Sequence, residues 1–135
     1  MVATGVVASD VTRSLEQRLQ QIYDGVSALL AEHAPATVVI EDVYSEYKFP
    51  RAAIQMAHAR GVICLAAQQR GITVMALPPA SVKRAIAANG AASKSQIQAS
   101  VTRHLRLAAP PRPSHVADAL ALALTGFWRI GGRLP

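Results

Sequence analysis

Apolar residues recur at Leu15, Leu19, Ile22, Val26, Leu29 and Leu30, the 3.6-residue period of a helix with one face on a core. Ser14 with Gln17 makes a capping box ahead of this run and Pro35 closes it, so a helix is predicted over 14–32. The pattern then changes. Thr37 to Val43 is a nearly continuous β-branched run, as in a central strand covered on both faces, and Glu41 sits in it, where a carboxylate is costly to bury. Tyr44 to Pro50 reads as a loop, Ala52 to Gln69 as a helix of small residues closed by Gly71, and Ile72 to Leu77 as a second strand of parallel type. Pro78 and Pro79 break the chain before a short helix, Ala80 to Ala88, and Asn89-Gly90 signals a turn. Ser93 caps a helix to about Leu107, three prolines make Ala108 to Ser114 a loop, and a last helix runs from about His115 to Trp128. Thr4 to Ala8 is a candidate short strand and Gly131-Gly132-Arg133 a frayed tail. Alternating strand and helix predicts an α/β layered domain, one domain over 1–130 with a tail over 131–135.

Composition agrees with a single core, since 135 residues at 51% hydrophobic content bury one core and hardly two. The longest apolar runs fall short of the roughly 20 residues that span a bilayer. The start, Met1-Val2-Ala3-Thr4-Gly5, has neither a basic nor a long apolar region, so a soluble, cytoplasmic protein is expected. The single cysteine, Cys64, lies among Val62, Ile63, Leu65 and Ala66 and reads as a small buried hydrophobe.

Charge alters this picture. Fourteen Lys+Arg against eight Asp+Glu leave a net +6, which favours a polyanionic partner, although a solvated basic face that aids solubility would look the same. From Arg51 onward there are eleven Lys/Arg and one acid, Asp118, a carboxylate not expected to be a surface filler.

Asp118 stands three residues after His115, so both lie on one face at the start of the last helix. With Glu41 they could share a metal ion. Mg²⁺ prefers oxygen ligands, so the histidine could instead favour Mn²⁺ or act as a base on the attacking water. Each residue also has a plain structural reading: Glu41 as a strand-end charge, His115 as a neighbour of the helix cap, Asp118 as a first-turn acid favoured by the helix dipole.

The order of the pieces resembles the RuvC family of Holliday-junction resolvases over nearly the whole chain. The helix from Leu15 to Val26, Val39-Ile40-Glu41-Asp42-Val43-Tyr44 and Ala59-Arg60-Gly61-Val62 are similar to the family's first helix, acidic strand and dimerising helix. Pro79-Ala80-Ser81-Val82-Lys83 with Asn89 to Gln98 resembles its most distinctive stretch, and His115 to Ala121 its closing acidic helix. The resemblance implies an RNase H-like fold and a homodimeric endonuclease that places paired symmetric nicks in a four-way DNA junction during recombination and repair. It implies Glu41, His115 and Asp118 as catalytic metal ligands, with Mg²⁺, or Mn²⁺, as cofactor. Lys83 and Lys94 match basic positions that hold the junction backbone or stabilise charge near the scissile phosphate, and Tyr44 an aromatic that stacks on bases. Without the family, Tyr44 reads equally well as a ring capping the core. A branch-migration helicase complex is a further implied partner.

One departure stands out. The family opens with a strand whose Asp-Pro-Gly-type motif supplies a fourth, central ligand, and this chain starts after it, without two strands of on the order of 20 residues together. An N-terminally truncated resolvase, with Met1 an internal start, is therefore expected. The alternatives are a catalytically dead fragment or a degenerate, non-catalytic junction-binding dimer, and a sheet completed by another chain. A purely structural α/β interaction domain is a further, weaker option. Asp10 is the nearest substitute for the lost ligand, but ahead of a helix it reads first as a local cap.

Overall fold

The computed structural model describes residues 3–43 and 50–135. They fall into two compact units, one of residues 6–75 and one of residues 76–135 with residues 3–5.

In the first unit, α1 (Leu15–His33) starts at the Ser14 cap with both halves of the capping box formed, Ser14 Oγ accepting from the Gln17 amide and the Gln17 side chain accepting from the Ser14 amide. It packs on α2 (Pro50–Gln69). Leu30, Ala66 and Ala67 form the buried core there, with Tyr23, Val26, Val38, Ile72 and Val74 against it. Two alanines at the helix contact let α1 and α2 approach closely, and the Tyr23 hydroxyl donates to Gln69 Oε1. Leu15 and Leu29, part of the predicted apolar stripe, remain exposed. The helix α2 begins at Pro50, two residues before its predicted start, because proline is pre-shaped for a first helical position. Cys64 on α2 is half-buried rather than buried.

Strands β1 (Thr37–Glu41) and β2 (Thr73–Leu77) pair as a small parallel sheet, with α2 as the crossover. β1 ends at Glu41, not Val43, and its five residues are half-buried rather than covered on both faces. Just beyond it the chain bonds locally, the Asp42 carboxylate accepting the Val43 amide at 3.1 Å. Thr4 to Ala8 forms no strand. A strand needs a neighbour for its amides, and the sheet among the described residues consists of β1 and β2. Val7 instead lies against α1, so close to Gly25 that a Cβ there would meet Val7 Cγ1 at 2.6 Å.

In the second unit, α3 (Pro79–Ala87), α4 (Lys94–His104) and α5 (Ser114–Arg129) pack on one another. They bury Val82 and Ile86 from α3, Ile97 and Val101 from α4, and Val116, Ala117, Leu120, Ala121 and Leu124 from α5. Thr125, also buried, returns its hydroxyl to the Ala121 carbonyl at 2.8 Å, which satisfies it within its own helix. Ser93 and Gln96 form a second capping box at the start of α4.

Three helices end in the same way. Beyond α2, Gly71 donates to the Gln68 carbonyl and Ile72 to that of Ala67; beyond α5, Gly131 donates to Trp128 and Gly132 to Phe127. This is the Schellman pair of bonds, and Gly71 and Gly131 take the left-handed conformation it requires, at φ of 66° and 86°. The residues predicted as a frayed tail thus include an ordered cap. The helix α4 ends likewise, three residues before its predicted end: Arg106 donates to Arg103 and Leu107 to Thr102, with Arg106 at φ 51°. A side chain in that conformation costs on the order of 1–2 kcal/mol, whereas glycine is entropically dearer when unfolded by about 0.5–1 kcal/mol. Arg106→Gly is therefore expected to stabilise the protein by up to about 1 kcal/mol, read as a raised thermal midpoint.

Among the described residues no helix is long and apolar enough to cross a membrane.

Candidate active site

Glu41 is the last residue of β1, half-buried, at the point where the strand gives way to Asp42 and Val43. A strand terminus is a favourable place for a reactive carboxylate, because the ladder holds the backbone up to that residue while the next ones turn away. Asp42, beside it, is ion-paired with Arg60 of α2, Oδ1 to Nη2 at 3.6 Å. The pair joins residues distant in the chain, and the sequence reading missed it; the available signal was Arg60 itself, a charge in the middle of a helix of small residues. Tyr44 lies outside the described residues.

In the second unit His115 and Asp118 fall in the first five residues of α5, one turn apart and both exposed, as their spacing required. Val116, Ala117 and Leu120 turn into the core from the same stretch, which anchors the helix and presents the imidazole and carboxylate on its other side. Lys83 is half-buried on α3 and Lys94 is the exposed first residue of α4. Both helices pack on α5, so this unit gathers four of the predicted site residues, while Glu41 belongs to the first unit. Within neither unit do three His, Cys, Asp or Glu side chains cluster among the described residues. His115 and Asp118 supply at most two side-chain groups to a divalent metal ion by themselves, an imidazole and a carboxylate, of which a hard ion prefers the carboxylate.

Charge is divided sharply. The second unit carries eight Lys/Arg and a single acid, Asp118, whereas residues 6–75 carry six Lys/Arg and seven acids. The basic excess that favours a polyanion therefore resides in the unit that bears Lys83, Lys94, His115 and Asp118. Arg84, next to Lys83, packs at the turn before α4, where a Cβ on Gly90 would lie 3.5 Å from its Nη2.

Asp10 is committed locally. One carboxylate oxygen accepts from the Thr12 amide at 2.9 Å and from the Thr12 hydroxyl at 2.7 Å, and the other pairs with Arg13 Nε at 3.5 Å. These bonds, the Thr12 hydroxyl first, hold its carboxyl below the usual range, as a turn-capping aspartate requires.

A family model described as crossover junction endodeoxyribonuclease RuvC matches residues 1–126. A Rhodopirellula baltica protein of that name is 44% identical over 124 residues, covering 92% of this chain and 70% of the relative. A Streptomyces coelicolor protein of the same name is 43% identical over 129 residues, 96% of this chain and 68% of the relative. Among solved structures, Thermus thermophilus RuvC matches with a TM-score of 0.83 at 34% identity, covering 94% of this chain and 77% of the other. The T. thermophilus RuvC structure in complex with a Holliday junction substrate matches with a TM-score of 0.85 at 35% identity, covering 94% and 78%. The likeness places the chain in the RNase H-like α/β class.

Proposed function

From the premise that this chain belongs to the RuvC family of crossover junction endodeoxyribonucleases, we propose that it resolves four-way (Holliday) DNA junctions by paired symmetric nicks in recombination and repair. The observation that carries this reading is the match to a relative solved on a Holliday junction substrate, over nearly all of this chain. The charge division supports it independently, since the α3–α4–α5 unit offers a polyanion eight basic residues against one acid, Asp118.

Glu41, His115 and Asp118 are the residues that would hold a divalent metal ion, Mg²⁺ or Mn²⁺. Their donor set fits one: two carboxylates for a hard ion and an imidazole that either ligates or takes a proton from the attacking water. When bound, the ion supplies a nucleophilic water and stabilises charge on the phosphate. Lys83 and Lys94 neutralise backbone phosphates beside the scissile bond, Lys94 with the positive end of α4 behind it. Tyr44 stacks on a base near the crossover. A homodimer formed through the small residues of α2, acting as one resolvase domain over 1–130 with a tail at 131–135, in the cytoplasm and with a branch-migration helicase complex, completes the reading.

The test is a synthetic four-way junction incubated with this chain beside a duplex of the same sequences, with Mg²⁺, Mn²⁺ or a chelator. Binding of the junction in preference to the duplex is expected, weakening with salt by a log–log slope of about −0.9 per phosphate contacted. Symmetric nicks are expected with metal and none with chelator. Equal affinity for duplex and junction would overturn the reading.

A further inference from the structure

We propose that Arg60 is a positioning residue for Glu41: through its ion pair with Asp42, helix α2 fixes the exit of β1 and with it the direction in which the Glu41 carboxylate leaves the chain. The proposal rests on the assignment of Glu41 as a metal-binding carboxylate made above.

Asp42 is held from two sides. One oxygen, Oδ1, accepts the Val43 amide at 3.1 Å, which fixes the side chain to the backbone that follows it, and the same oxygen lies 3.6 Å from Arg60 Nη2. Successive side chains leave an extended backbone on opposite sides, so a tether on Asp42 sets the rotation of the strand end about its own axis, and thus where the preceding side chain points. Arg60 is only partly solvated. The side chain is 32% exposed, but its Nε is sealed from water and has no hydrogen-bond acceptor among the described residues, with the Asp42 carboxylate the charge that faces the guanidinium. An arginine kept under those conditions is committed to its place. Groups one step removed from a metal ligand typically change metal affinity or activity by about ten- to a hundredfold when lost.

The experiment compares the unaltered chain with Arg60→Gln, Arg60→Lys, Asp42→Asn and the Arg60→Gln/Asp42→Asn double variant. Asparagine retains an oxygen to accept the Val43 amide, so Asp42→Asn removes the ion pair and little else. Two quantities are read: the Mn²⁺ midpoint of junction nicking, and Mn²⁺ binding by calorimetric titration without DNA, with Glu41→Gln as the reference for a lost ligand. Arg60→Gln and Asp42→Asn are each expected to raise both midpoints about tenfold or more, with the nicking rate at saturating Mn²⁺ largely recovered. Arg60→Lys should recover part of the affinity, and the double variant should be no worse than the worse single one, as for two residues acting through one contact. Midpoints that do not move, or a double variant as poor as the product of the singles, would overturn the role of Arg60 alone. A chain that neither nicks junctions nor binds Mn²⁺, or one whose Glu41→Gln variant binds Mn²⁺ unchanged, would instead overturn the metal-site assignment, and the proposal with it.

Discussion

Glu41→Gln is expected to slow junction nicking by on the order of a hundredfold or more, the scale of removing one preorganised group that stabilises charge in a transition state, while junction binding is kept or tightened. The opposite signs follow from one change. Glutamine has nearly the same shape, so the half-buried end of β1 retains its packing. Its amide is a poor ligand for a hard divalent ion, which is why the chemistry suffers. The substitution also removes one of the eight acids from a chain of net +6, so attraction to DNA phosphates is not weakened. A gel shift in chelator and a nicking time course in Mn²⁺ separate the two effects. Nicking at the unaltered rate would remove Glu41 from the site. If the unaltered chain bound the junction and made no nicks in any metal, the non-catalytic junction binder would be the correct account of this chain.

What the sequence disclosed well was whatever is settled by neighbours in the chain. Both capping boxes, Ser14 with Gln17 and Ser93 with Gln96, formed because each needs only residues three apart. The one-turn spacing of His115 and Asp118 is likewise a property of any helix, and their exposure follows from Val116, Ala117 and Leu120 taking the core side. Features that depend on distant partners were not legible. Thr4 to Ala8 has strand-like residues but pairs with no strand among the described residues, and Leu29 has the right period but stays at the surface. The end of α4 falls between these cases: the Schellman bonds are local, but Arg106 occupies the position where glycine usually announces them, so the sequence carried no sign of the stop. The Arg60–Asp42 pair is the most consequential omission, because Arg60, though a charge within a helix of small residues, has no evident partner until the fold brings α2 to the end of β1.

The same contrast between local and distant determinants makes Leu77→Ala the most severe of the stability changes expected. Four of the five residues of β2 keep some access to solvent, and the fifth, Leu77, has none. Truncating a fully buried leucine removes its transfer free energy and leaves a cavity, together about 2–5 kcal/mol, against a total of about 5–15 kcal/mol for an ordinary domain. Urea unfolding should show a much lower midpoint with an unchanged slope, since the surface exposed on unfolding is nearly the same. Leu29→Ala is the internal control: Leu29 is 44% exposed on α1, and its loss should fall within about 0.5 kcal/mol of the unaltered chain. The position of Leu77 links this loss to function. It is followed by Pro78 and Pro79, which open α3, the helix that carries Lys83. Leu77→Ala should therefore bind the junction normally in the cold and lose both binding and nicking on warming, in step with its unfolding curve, whereas Glu41→Gln should fail to nick at every temperature at which it binds. Equal urea midpoints for Leu77→Ala and Leu29→Ala would show that β2 does not anchor α3 through this side chain.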